Sequence, residues 1–393
     1  MKNIKYNLAS DTWNNEEIEA INDVIASNRY TMGDRVKTFE TEFAKFFGSQ
    51  YSIMVNSGSS ANLLMIASLV LSNDHDLNID DEVIVPSVSW STTYYPVSQY
   101  NLKLVFVDIN KQTLNIDVDK IKQAITNKTK AILAVNLLGN PNDFTKIQNL
   151  ICERNIILLE DNCESLGASL NEKKAGTFGL MGTFSSFFSH HIATMEGGCV
   201  VTDDEEIYHI LLSIRAHGWT RNLPKENMVS GIKSDDPFEE AFKFVLPGYN
   251  VRPLEMSGAI GIEQLKKLPS LIEVRRKNAD FFVNLFSSHP FIQIQKEVGQ
   301  SSWFGFSLVL NEKSPISRKA LVSLLDKNAI ECRPIVTGNF LKNTEVLEFF
   351  DYEVSGNMDS ANLIDKNGLF VGNHHIDITE NIKALHDLLS SIE

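Results

Sequence analysis

The sequence predicts an α/β protein, with a mostly parallel sheet sandwiched by helices and a smaller α+β domain after it. Three observations carry this. Four short apolar runs, Glu82–Pro86, Lys103–Val107, Ala131–Val135 and Ile156–Glu160, lack the alternation of a half-exposed strand. Runs of that kind belong to strands buried on both faces. Helical-period stretches at Asp117–Ala124 and Phe144–Arg154 lie between them, which is the rhythm of β–α–β units. The length, 393 residues, is enough for a large core and a second domain.

The elements follow in order. Residues 14–28 place Ile18, Ile21, Val24 and Ile25 at helical spacing, and Tyr30–Gly33 reads as a turn. Val36–Phe47 repeats the pattern, with Val36, Phe39, Phe43 and Phe46 on one stripe. Tyr51–Val55 is a short strand, Asn56–Ser60 (N-S-G-S-S) a loop, and an apolar helix begins near Ala61. After the alternating region, Asn140-Pro141-Asn142 breaks the chain before a helix. Phe184–Phe187 and Cys199–Thr202 read as strands flanking a His-His loop, and Glu205–Ala216 as a helix. Residues 218–250 form a long connection of the kind found at functional sites and interfaces. Two helices follow, Pro253–Leu265 and Leu268–Ser287. The small domain then shows a strand at Ser302–Leu310, a helix near Ser317–Lys327, a strand near Ile330–Pro334 and a final helix. We divide the chain into a large domain, 1–265, with an N-terminal helical arm, and 266–393, a connecting helix and the small domain.

Bulk properties narrow the function. The formal net charge of −14 argues against a general nucleic-acid or membrane-surface binder. The longest apolar runs, such as Leu63–Leu71, are too short to span a bilayer, and the N-terminal stretch lacks the apolar core of a signal peptide. Cys152, Cys163, Cys199 and Cys332 form no C-x-x-C pair, which speaks for reduced thiols in a cytoplasmic protein, without a metal or iron–sulfur centre.

Four loops at strand ends carry polar chemistry. Gly58 and Ser59 stand where a strand enters a helix. Backbone N–H groups at such a start bind phosphate, although serine there is equally a plain helix cap. Trp90, after Glu82–Pro86, reads as a ring-stacking aromatic or as core. Asp161, after the apolar run Ile156–Leu159, sits where α/β sheets bind ligands and suits a protonated heteroaromatic nitrogen, or is an acidic turn; Glu164 is close by. The fourth loop, Thr183–Gly198, reads T-F-S-S-F-F-S-H-H-I-A-T-M-E-G-G and offers Ser185 and the histidine pair. Histidine exchanges protons near neutrality, yet most histidines do no chemistry. Together, the four resemble the layout of a pyridoxal-phosphate site.

The resemblance becomes specific with Gly58-Ser59-Ser60, Trp90, Glu160-Asp161, Ser185, Glu196-Gly197-Gly198 and Gly248–Arg252, in that order. Over essentially its whole length the chain resembles the pyridoxal-phosphate-dependent sugar aminotransferases of fold type I, which implies their seven-stranded type of sheet. In that family the stretch before E-G-G reads S-F-x-x-x-K, and its lysine bonds the cofactor covalently. Here Ser185 takes the serine's place, Ser186 replaces the phenylalanine and His190 replaces the lysine. An imidazole cannot form that bond. Lys173 and Lys174 lie in a polar turn and read as solvated.

One branch of the family carries this histidine. Shared words match it: Thr31–Asp34, Val88–Pro96, Asn136–Asn142, Glu160–Ser165, Ala216–Asn222 and Gly368–His374. The resemblance implies a 3-dehydratase acting on a GDP-linked ketosugar, with pyridoxal/pyridoxamine 5'-phosphate as cofactor and L-glutamate as amino donor. A second histidine-bearing branch needs a cysteine-ligated iron–sulfur centre, against which the cysteine placement argues. By position, His190 is the catalytic base. Gly58, Ser59 and Ser185 hold phosphate, Trp90 stacks on the ring, Asp161 pairs with its nitrogen, and Glu164 stands near its substituents. Asn250 reaches the phosphate of the neighbouring subunit, so a homodimer with shared sites follows. Arg215, His217, Arg221, Arg252, Arg333 and His374 are candidate substrate contacts. Arg252 reads equally as an ion pair with Glu255, and the part played by His191 is open. An aminotransferase making a 4-amino sugar is the alternative.

Overall fold

In the computed structural model of the chain, residues 5–75 and 77–392 are described, so the first four residues of the N-terminal stretch lie outside them. Helix α1, Asn15–Ser27, opens with a reciprocal cap between Asn14 and Glu17 and ends at Asn28 in the left-handed conformation. Its apolar stripe is only partly used. Val24 is buried, but Ile18 and Ile25 are exposed. Glu17 takes the inward place because Gln264 and Lys267 hold its carboxylate. Helix α2, Asp34–Phe47, buries Val36, Phe39, Phe43 and Phe47, with Phe46 half out under Lys174.

Strand β1, Tyr51–Val55, leads into helix α3, Gly58–Val70. β2 (Glu82–Pro86) is followed by helix α4, Ser91–Gln99, which sequence reasoning passes over. Its S-T-T-Y-Y-P-V run is rich in β-branched and aromatic residues, and burial of Thr93, Tyr94 and Val97 overrides that preference. Then come β3 (Lys103–Val107), α5 (Val118–Ala124), β4 (Thr129–Val135), α6 (Phe144–Ile151), β5 (Ile157–Asp161), β6 (Met181–Ser185), β7 (Gly198–Thr202) and α7 (Glu205–Ile214). The predicted strand Phe184–Phe187 ends two residues early, because the chain turns into the histidine loop at Ser186.

The predicted pair of helices after residue 253 is a single helix α8, Glu255–Phe286, which runs through Pro269 and across 265/266. Proline removes one helical hydrogen bond. Burial of Leu265, Leu268, Leu271 and Ile272 against α2 and the core offsets that loss. The small domain adds β8 (Ile292–Gln293), β9 (Gly305–Leu310), α9 (Arg318–Lys327), β10 (Cys332–Arg333), β11 (Tyr352–Val354), α10 (Asp359–Asn367), β12 (Gly368–Gly372) and α11 (Thr379–Ser390).

The large sheet has the order β1-β7-β6-β5-β4-β2-β3-β11, with β7 antiparallel to both its neighbours. It contains eight strands where a seven-stranded type is expected, because β11, from the C-terminal part of the chain, pairs parallel with β3. The small sheet, β8-β9-β12-β10, is antiparallel throughout. Register places the site. Val135 pairs with Asp161 and Asp161 with Thr183, while Ser185 and Val55 both pair with Gly198. The C-terminal ends of β4, β5, β6 and β1 therefore open on one edge, where parallel sheets bind ligands.

Candidate active site

A cavity of about 370 Å³ opens at that edge. Its wall includes Gly58, Ser59, Trp90, Asp161, Glu164, Ser185 and His190, so seven of the predicted residues converge from four strand ends.

Helix α3 begins at Gly58, capped by Ser57, whose hydroxyl accepts from the N–H of Ser60. The first N–H groups of α3 are thus presented to the cavity with the positive end of the helix dipole. A side chain at 58 would collide with Ser185 Cβ at 2.7 Å and Cys163 Sγ at 3.0 Å, so only glycine lets these walls close. Gly198 plays the complementary part, since a Cβ there would meet the Ser57 carbonyl at 2.5 Å. The second glycine of E-G-G is therefore required by the cradle itself. Such a cradle of N–H groups and hydroxyls, with a carboxylate opposite, fits a phosphorylated pyridine.

Asp161 is held by donors on both oxygens. Asn62 Nδ2 (2.9 Å) and Thr93 Oγ1 (2.7 Å) donate to Oδ2, and the N–H of Cys163 (3.2 Å) to Oδ1. Thr183 Oγ1 donates in turn to Asn62 Oδ1 at 2.6 Å. Sequence reasoning missed Asn62 and Thr93. The available signal was a lone amide inside an otherwise apolar helix. Glu160, one residue earlier on β5, points to the other face. It accepts from the N–H groups of Gly176 (2.6 Å) and Gly179 (2.9 Å) and fastens their turn.

Glu164 accepts from the N–H of Leu138 at 2.9 Å. Burial pushes its carboxyl up to about 7; that N–H opposes the rise and the nearby Asp161 adds to it. Trp90 is 58% exposed, so core packing does not use it and one face is free for a ring.

The histidine loop is closed by hydroxyls. Ser186 Oγ meets Thr194 Oγ1 at 2.6 Å, and Ser186 N–H donates to Gly197 O at 2.9 Å. The serine standing for the family's phenylalanine thus staples the loop. The His190 ring packs edge-on against Phe187 and Phe304, at 6.1 and 5.1 Å between centroids. Its Nδ1 is buried without a partner, and the residue lines the cavity. Burial, and after it the Arg275 charge, lower its pKa to about 4 rather than leaving it near neutrality. His191 points away and pairs through Nε2 with Ser302 O at 3.0 Å. Among the described residues no lysine lines the cavity.

The remaining candidates lie elsewhere. Arg215 is buried in an ion pair with Glu40 and donates to Met54 O at 2.8 Å, which ties α7 to α2 and β1. His374 is buried between Ser10 Oγ (2.9 Å) and Asn7 O (2.8 Å) and clamps the N-terminal segment. Arg333 is exposed on β10. Asn250, Arg252, His217 and Arg221 gather around Trp219. Arg252 Nε donates to Asn250 Oδ1 at 2.9 Å, the Arg221 guanidinium lies 4.5 Å over the indole, and the His217 ring is 4.7 Å from it. Glu255 does not pair with Arg252. It accepts from the N–H groups of Gly33 (2.6 Å) and Arg35 (2.7 Å).

Comparison with known proteins shows the family. Residues 11–372 match the model of the DegT/DnrJ/EryC1/StrS aminotransferase family. A GDP-4-keto-6-deoxy-D-mannose 3-dehydratase of Yersinia pseudotuberculosis is 68% identical over 98% of both chains. The E. coli GDP-4-keto-6-deoxy-D-mannose-3-dehydratase with bound hydrated PLP has 65% identity, covers 98% of this chain and 99% of its own, and superposes with a TM-score of 0.97. A GDP-4-keto-6-deoxymannose-3-dehydratase structure with a trapped PLP-glutamate geminal diamine has the same identity and TM-score, over 98% of this chain and 100% of its own.

Proposed function

The chain belongs to the DegT/DnrJ/EryC1/StrS aminotransferase family, and from that premise we propose that it removes the C3 hydroxyl of GDP-4-keto-6-deoxy-D-mannose. With L-glutamate as amino donor, the products are GDP-4-keto-3,6-dideoxy-D-mannose, 2-oxoglutarate and ammonia, a step in colitose-type O-antigen deoxysugar synthesis. The single observation that carries this is His190 in a cavity wall that contains no lysine.

Pyridoxamine phosphate, when bound, supplies the amine that joins the C4 ketone and a ring that stores electrons while the C3 oxygen departs. The chain's residues do the rest. The N–H groups of Gly58 and Ser59 and the Ser185 hydroxyl take the phosphate. Trp90 would cover the ring face of the bound cofactor, and Asp161 would accept the N–H of its ring nitrogen. The carboxyl of Glu164 faces the ring substituents. His190 Nε2 takes the proton that must leave and passes it to the departing hydroxyl. A histidine with a lowered pKa stands neutral at working pH, is a weaker base for it, and once protonated is a stronger acid toward the leaving oxygen. The absence of a lysine leaves the cofactor's amine free for the sugar.

The site is completed by a second copy of the chain. Asn250 and Arg252 do not line their own cavity, and beside them Phe242, Phe244 and Leu254 are more than half exposed. Exposed large apolar side chains gathered near Asn250 and Arg252 in the chain fit an interface with a second copy. No helix among the described residues is long and apolar enough to cross a membrane, and a nucleotide-sugar substrate is in keeping with a cytoplasmic enzyme.

Incubating the protein with pyridoxal phosphate, L-glutamate and GDP-4-keto-6-deoxy-D-mannose tests the reading. Equal amounts of 2-oxoglutarate, ammonia and dideoxy sugar are expected. A GDP-linked 4-amino sugar without ammonia would make the chain an aminotransferase instead.

A further inference from the structure

Helix α8 carries a guanidinium for which the fold supplies no counter-ion. Arg275 is 3% exposed, and among the described residues no carboxylate lies within ion-pair distance of it. Its Nη1 donates to the backbone carbonyls of Asn373 (2.7 Å) and Phe304 (3.3 Å), while its Nε has no partner. An uncompensated buried cation is costly, so the fold retains it against its own stability.

The charge sits behind the histidine pair. The Phe304 carbonyl accepts from Arg275, and the Phe304 ring lies 5.1 Å from the ring of His190 and 5.8 Å from that of His191. Ser302, two residues earlier, pairs with His191 through its carbonyl. Segment 302–304 is pinned on its other side, with Ser302 N–H on Gly139 O (2.9 Å) and Phe304 N–H on Leu138 O (3.0 Å). It is a short strap with the guanidinium on one side and the reactive imidazole on the other.

We propose that Arg275 is a positioning residue: its hydrogen bonds hold the strap against the histidine pair, and its buried charge behind that strap adds to burial in disfavouring a proton on His190. Arg275 acts on His190 from α8, His191 is coupled to it on its own loop, Phe187 and Phe304 pack against its ring, and Asp161, Glu164 and Glu196 share the cavity wall with it. Burial first, and Arg275 after it, oppose a proton on His190. Four histidines around this point, His190, His191, His374 and His375, are all shifted downward with Arg275 among the causes. The charge has two consequences for the reaction. Neutral His190 is ready to accept a proton, and the imidazolium then formed near a guanidinium is unstable, which drives the proton on to the leaving oxygen.

This inference rests on His190 being the base, and its test separates the two ideas. Ring-13C-histidine NMR of the cofactor-free protein follows the His190 signal, assigned by its loss in His190→Asn. In the wild type the signal should stay neutral to well below pH 6. In Arg275→Met its midpoint should rise by on the order of one unit. The acid limb of the kcat profile should rise with it, with KM for the sugar unchanged. Arg275→Lys, which keeps the charge, should restore both. An unchanged His190 midpoint in folded Arg275→Met would overturn the proposal. So would a wild-type His190 that titrates near 6.5, a result that needs no variant to fold. A midpoint shift in a protein without dehydratase activity would leave the coupling standing and remove the functional reading.

Discussion

The imidazole at position 190 decides which chemistry the cavity can run. His190→Lys should capture pyridoxal phosphate covalently, read as a mass increase after borohydride reduction, and should lose dehydration. Continued dideoxy-sugar formation in that variant would refute the base role. The neighbouring carboxylate depends on supports that lie far away in sequence. Thr93→Val and Asn62→Ala each leave Asp161 short of a donor. Each should slow turnover roughly tenfold, in line with the value of a buried charged hydrogen bond, and lower the thermal midpoint of the cofactor-free chain as well, because each also leaves a second buried partner unpaired. Glu164 gives a pH prediction. Its carboxyl is raised to about 7 in the fold and returns to the ordinary carboxylate range on unfolding. Between those limits the folded form holds the extra proton, so stability falls as pH rises through that window. Glu164→Gln removes the proton. It should therefore melt higher than wild type at pH 8, by on the order of 1–3 kcal/mol, with the difference vanishing toward pH 5. A constant difference across that range would argue against a raised Glu164.

At the level of elements, the cradle is made by two turns pressed together. Ser57–Gly58 at the start of α3 and Gly198 at the start of β7 meet because Val55 and Ser185 are both registered on Gly198. Gly198→Ala forces a methyl against the Ser57 carbonyl. It should weaken cofactor binding at least tenfold, measured by absorbance titration, while far-UV circular dichroism stays native. Several elements were legible from local pattern. The buried parallel strands declare themselves as unbroken apolar runs, and α2 by its phenylalanine stripe. Others were not. The S-T-T-Y-Y-P run forms α4 because burial overrides its preference, and the helix through Pro269 persists because α2 and the core hold both halves. The exposed Ile18 and Ile25 show the same limit: their helical spacing marks a face, but burial of Glu17 by Gln264 and Lys267 sets which face turns inward.

At the scale of the whole molecule, the single chain leaves Asn250 and its apolar surroundings outside the site they are read to serve. Mixing inactive His190→Asn with inactive Asn250→Ala should restore about a quarter of wild-type activity, since half of the randomly assorted symmetric dimers carry one intact site. No recovery after subunit exchange, shown by mass spectrometry of mixed dimers, would mean that Asn250 serves the site of its own subunit. By itself the sequence determined the fold class, named seven residues that converge on one cavity wall, and showed the exchange of a lysine for His190. These are written in short contiguous words at strand ends, where local chemistry and position in a parallel sheet coincide. Tertiary structure alone decided that Arg215 and His374 are held by buried partners of their own. It also decided that Asn62 and Thr93 support Asp161, that β11 returns to lengthen the large sheet, and that a buried Arg275 lies behind the histidines. Each of those rests on contacts between residues tens to hundreds of positions apart, where the partner a side chain finds is set by packing and not by its neighbours in the chain.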